Sequence, residues 1–72
     1  MIVFDSFPDM QAARDFAAAV KKGFGLQAEA EDFNPVVWVQ RMEVAAEEDR
    51  VKKLAEEFGG LLLGHEVEDN EE

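Results

Sequence analysis

A change of hydrophobic period constrains this chain more than any other feature. Ala13, Phe16, Ala17, Val20 and Phe24 fall at i, i+3, i+4, i+7 and i+11, which is one face of a helix. From Leu26 the period drops to two. Leu26, Ala28 and Ala30 alternate with Gln27, Glu29 and Glu31, the pattern of a strand with one buried and one solvated face. Asp32-Phe33-Asn34-Pro35 predicts a turn, and Val36 to Met42 a second strand of strong β-formers. So short a connection makes the pair an antiparallel hairpin. The helical period then returns with Val44, Val51, Leu54, Ala55 and Phe58, while Glu48–Lys52, Asp49–Lys53, Lys52–Glu56 and Lys53–Glu57 are spaced i,i+4 on the outer face.

The boundary residues complete the pattern. Ile2, Val3 and Phe4 predict a first strand over Met1 to Phe4. Ser6 offers an N-cap oxygen with Asp9 three residues on, and Pro8 falls in the first helical turn. Lys21 and Lys22 suit the C-terminal end of the helix dipole, and Gly23 and Gly25 stop the helix. Gly59-Gly60 ends the second helix, Leu61 to Val67 predicts the last strand, and Glu68 to Glu72 reads as a disordered acidic tail. The order is β-α-β-β-α-β in two similar halves. It predicts one α+β domain over 1–67, a ferredoxin-like two-layer sandwich. A four-stranded antiparallel sheet would carry both helices on one face and leave the other open. In that arrangement the first and third strands are central.

Composition sets the limits on this domain. Seventy-two residues allow only a thin core, but six Phe and one Trp supply large apolar surfaces, which argues against disorder despite a net charge of −10. Without cysteine there is no disulfide and no thiolate metal site, which fits a reducing cytosol. The N-terminus lacks a signal-peptide layout, and no apolar run approaches membrane-spanning length, so a cytoplasmic protein without membrane contact is expected.

No residue set assembles a catalytic centre. The chain has one His, no Cys and no Tyr, and its sole hydroxyl side chain, Ser6, reads as a helix cap. His65 stands beside Glu66 in the last strand, a structural or exposed position. Glu68, Asp69, Glu71 and Glu72 lack the glycine-framed loop of a calcium site, and Gly23-Phe24-Gly25 is a helix stop rather than a phosphate loop. A binding protein without cofactor or metal is expected, not an enzyme.

Seventeen acidic against seven basic residues repel nucleic acid and attract basic surfaces, many of which are nucleic-acid grooves; the plainer reading is that the acidity serves solubility. If Gln40 faces solvent, strand parity puts Trp38 on the open face, with Val37 and Val39 towards the helices. The opposite parity buries Trp38 and presents Arg41. Glu29 and Glu31 share a face at a spacing of roughly 6.6–6.8 Å, close enough to imitate part of a phosphate row. Glu66 and Glu68 would supply a second row from the opposite edge. Acids beside Trp38, where a nucleic-acid-binding sheet carries bases, argue against direct nucleic-acid binding. Glu56 and Glu57, offset by lysines, read as solvated helix surface.

Val51-Lys-Lys-Leu-Ala-Glu-Glu-Phe-Gly-Gly60, the strand Val36-Val-Trp-Val-Gln-Arg-Met42 and the Ala-rich helix before Gly23-Phe24-Gly25 resemble the ribonuclease E inhibitor B (RraB) family from Phe4 to Gly64. The resemblance implies a ferredoxin-like fold and an acidic, non-catalytic regulator that binds an RNA-degrading enzyme. Leu61-Leu62-Leu63-Gly64-His65 departs from the family, which has an aromatic-bearing stretch ending in Gly-Trp there. In size and charge the chain also resembles phage anti-CRISPR proteins and other DNA mimics. Either way the expectation is an inhibitor that docks Glu29, Glu31, Trp38, Glu66 and Glu68 on the basic nucleic-acid-binding surface of a nuclease or CRISPR-type effector. The alternative is a self-associating domain whose acidity serves only solubility.

Overall fold

The structure, a computed structural model, describes residues 1–65. The elements are β1 (Ile2–Asp5), α1 (Met10–Phe24), β2 (Ala28–Ala30), β3 (Val37–Val39), α2 (Ala45–Glu57) and β4 (Leu61–His65). Among the described residues the strands form one four-stranded sheet in the order β2-β3-β1-β4. Every pairing is antiparallel. This is the ferredoxin-like βαββαβ sandwich that the two periods predict, with β1 and β3 central.

One face of the sheet meets the helices. Ile2 and Phe4 of β1, Val37 and Val39 of β3, and Ala28 of β2 are buried in one cluster with Ala13, Phe16, Ala17 and Val20 of α1 and Val51 and Ala55 of α2. Phe16 is its hub. Its ring lies 5.2 Å from Phe4, 5.3 Å from Phe7 and 6.2 Å from Phe58, the last two in tilted contacts and the first edge-on. Both halves of the chain therefore converge on one aromatic ring.

The chain between β1 and α1 departs from the sequence expectation. Ser6 does not cap the helix: it takes a left-handed φ of +69° and its hydroxyl donates to Asp5 Oδ1 at 3.1 Å. Asp9 is the cap, its Oδ1 accepting from the Ala12 N–H at 2.8 Å, so Pro8 precedes the helix instead of opening it. The cause is Phe7, which turns inward against Phe16 and is only 4% exposed. The residues between strand and helix are spent on placing that ring. At the other end Gly25, φ +68°, closes α1 by donating to the Lys21 carbonyl at 3.1 Å; Gly23 remains within the last turn.

The paired glycines after α2 have separate jobs. The Gly59 N–H donates to the Glu56 carbonyl at 3.0 Å and the Gly60 N–H to the Ala55 carbonyl at 2.8 Å, the two bonds of a Schellman ending. Gly59 supplies the positive φ this ending requires, +88°. Gly60 lies so close to the Phe7 ring that a β-carbon there would collide with it. Val44, expected on the apolar stripe of α2, is instead 58% exposed in extended backbone (φ −104°, ψ 121°) at the N-cap, where the helical period does not yet apply. β2 (Ala28–Ala30) and β3 (Val37–Val39) are both shorter than the expected strands from Leu26 and Val36, and the ladders of β3 to β1 and to β2 both end at Val39. The expected end of the last strand, Glu66 and Val67, and the tail 68–72 lie outside the described residues.

Candidate acidic binding edge

With Val37 and Val39 buried towards the helices, parity places Trp38 on the open face, where it is half-buried. Register aligns Glu29, Trp38, Val3 and Gly64 in one row across all four strands. Val3 is only 5% exposed yet stands apart from the helix-side core, so its cover comes from the open face. Trp38 is its direct cross-strand neighbour.

Glu31 decides how Trp38 is held. Its residue lies just past the end of β2, but its N–H still bonds the Val36 carbonyl in the register of the strand, so alternation keeps its side chain on the Trp38 face. One carboxylate oxygen accepts the Trp38 indole N–H at 3.1 Å and the other accepts the Asn34 side-chain amide at 3.3 Å. Main-chain bonds from Glu31 N–H to the Val36 carbonyl (2.9 Å) and from Val36 N–H to the Asn34 carbonyl (2.7 Å) close the turn beneath it. Glu31 and Glu29 therefore differ in role: Glu31 clamps the β2–β3 turn, whereas Glu29, directly opposite Trp38, is exposed. Both stand beside Trp38, but they do not form a row of two equally available charges.

Sequence reasoning passed over the most exposed aromatic at this edge. Phe33, at the tip of the clamped turn, is 90% exposed beside the exposed Asp32. The signal was available, because a Phe between Asp and Asn in a turn has no strand face or helix stripe to bury it. The opposite edge strand, β4, exposes apolar side chains. A register shift between Val3 and Phe4 leaves Leu63 without a partner in β1, and Leu61 and Leu63 are 56% and 64% exposed.

Glu66 and Glu68, the expected second acidic row, lie outside the described residues. Glu56 and Glu57 are exposed on α2. Among the described residues no three His, Asp or Glu side chains group so as to hold a metal ion, and no helix is long and apolar enough to cross a membrane. No protein-family model, curated protein or solved structure matches the chain.

Proposed function

We propose that this protein is a small acidic, non-catalytic inhibitor that occupies the basic nucleic-acid-binding surface of a nuclease or CRISPR-type effector in the cytoplasm. The observation that carries this reading is the clamped β2–β3 turn, which presents Phe33 at 90% exposure next to the exposed Asp32. An exposed aromatic ring is unfavourable in water and becomes an anchor once a partner pocket covers it. Holding the turn rigid beforehand lowers the ordering cost of that contact. The exposed Glu29 and Asp32 of the same edge suit a pocket rimmed by Lys and Arg, and the net charge of −10 steers the whole chain towards such a rim. Occlusion needs no chemistry from the inhibitor: its carboxylates take the places of phosphates.

The reading is tested by competition. Purified protein is titrated against DNA- and RNA-degrading enzymes and RNA-guided effector complexes holding a fluorescent nucleic acid. Displacement of the nucleic acid, overcome by excess nucleic acid, is the expected result. Inhibition that excess nucleic acid leaves unchanged, or no displacement from any basic enzyme, would sink the proposal. The exposed Leu61 and Leu63 favour a second reading, self-association through the β4 side of the sheet. Added salt screens the repulsion between two anionic copies, so this dimer would strengthen with ionic strength whereas the inhibitor complex weakens.

A further inference from the structure

The outer edge of β2 has features that the inhibitor reading does not use. β2 is an edge strand, and its ladder to β3 can be read residue by residue. The Gln40 N–H donates to the Gln27 carbonyl at 2.8 Å and the Glu31 N–H to the Val36 carbonyl at 2.9 Å. Gln27, Glu29 and Glu31 therefore turn their main chain inward to β3. By alternation Ala28 and Ala30 point their N–H and C=O groups outward, away from the sheet. Among the described residues no strand takes up those groups. A row of this kind is a template for another strand.

The space beside the row is shaped to admit one. A groove of ≈ 380 Å³ lies between α1 and β2, with Ala17, Ala18 and Ala30 between Arg14 and Lys21 on the helix and Glu29, Glu31 and Asp32 on the strand. Because Ala17, Ala18 and Ala30 are small, the floor leaves room for side chains of an incoming strand. Charge then selects the strand. A second copy paired antiparallel through all three residues of β2 would set Ala28 against Ala30 and Glu29 against Glu29. Like charges directly opposite destabilise such a pair. A strand with Lys or Arg at that position gains an opposite-charge pair instead. Side chains on its other face drop onto the alanine floor beside Arg14 and Lys21, which suits small apolar residues and disfavours basic ones there.

We propose that the β2 edge is a strand-addition site for an extended partner segment in which basic and small apolar residues alternate. This rests on the basic-partner reading above and names how that partner would be gripped: main-chain bonds to Ala28 and Ala30 supply affinity, and Glu29 supplies the choice of charge.

The test uses blocked synthetic octapeptides and the intact, isotope-labelled protein. One peptide alternates Lys and Val, a second alternates Glu and Val, and a third is the Lys–Val peptide N-methylated at each Val, the residues that would face Ala28 and Ala30, which removes its strand-pairing donors. Amide hydrogen exchange is followed by NMR. The Lys–Val peptide is expected to slow exchange at Ala28 and Ala30 by about tenfold or more, and the N-methylated peptide to leave both unchanged. Glu29→Gln should reduce the affinity of the Lys–Val peptide while keeping the protection pattern. Binding of the Lys–Val peptide without protection at Ala28 and Ala30, equal binding of the N-methylated peptide, or no binding would overturn strand addition and leave the acidic-surface reading standing. Equal protection by the Glu–Val peptide would overturn the charge selection and the basic-partner reading with it.

Discussion

Removing the Glu31 carboxylate separates its clamping role from mere surface charge. Its oxygens accept the Trp38 indole at 3.1 Å and the Asn34 amide at 3.3 Å. A typical hydrogen bond contributes about 0.5–1.5 kcal/mol net, and one to a charged group about 1.5–3 kcal/mol. Glu31 is half-buried and Asn34 exposed, so solvent screening lowers the Trp38 bond to about 1–1.5 kcal/mol and the Asn34 bond to about 0.5 kcal/mol. Glu31→Ala should therefore cost about 1.5–2 kcal/mol in all. Glu31→Gln keeps one acceptor oxygen and should cost about half as much. Glu29→Gln, at an exposed position with no clamp to break, should change stability by no more than about 0.5 kcal/mol. Urea unfolding followed by fluorescence measures all three, because Trp38 is the only tryptophan and reports from the clamp itself. With a slope of about 1 kcal/mol per molar urea for so small a domain, Glu31→Ala moves the midpoint down by about 1.5–2 M. Midpoints for Glu31→Ala and Glu29→Gln within about 0.5 M of each other would refute the clamp.

Three further substitutions probe the scaffold and the tip. Gly60→Ala forces a β-carbon into the Phe7 ring and should destabilise by at least about 1–3 kcal/mol, read as a lower melting temperature; a neutral result would show that Phe7 does not pack there. Asp9→Ala should cost about 0.5–2 kcal/mol in thermal unfolding as a lost cap, and Ser6→Ala markedly less; the reverse order would restore Ser6 as the cap. Phe33→Ser should leave stability within about 0.5 kcal/mol of wild type, as at other exposed sites, while weakening partner binding by at least about 2 kcal/mol. Unchanged binding would remove Phe33 from the site.

The sequence made the architecture legible wherever local periodicity dictates structure. Four of the five residues on the expected stripe of α1, Ala13, Phe16, Ala17 and Val20, are buried, and Phe24 packs against the same core. Long-range packing was not legible. The start of α1 moves from Ser6 to Asp9 because Phe7 meets Phe16 and Gly60, and no local rule links residue 7 to residue 60. The two parities open for Trp38 resolve once Val37 and Val39 prove buried, so the ladder decided what alternation alone could not. Parity also treats Glu29 and Glu31 alike. They differ in partners rather than in face: at the start of the turn Glu31 meets the Trp38 indole and the Asn34 amide, whereas Glu29 is exposed.

Whether an acidic, aromatic-tipped edge occupies a basic nucleic-acid site is measured most directly by affinity for the inhibited enzyme across ionic strength. Wild-type affinity should fall steeply as salt rises from low to physiological concentration. The Glu29→Gln/Asp32→Asn variant should bind more weakly with a shallower salt dependence, whereas Phe33→Ser should bind more weakly with the wild-type salt dependence. An affinity indifferent to salt, or charge variants whose salt dependence matches wild type, would contradict the account.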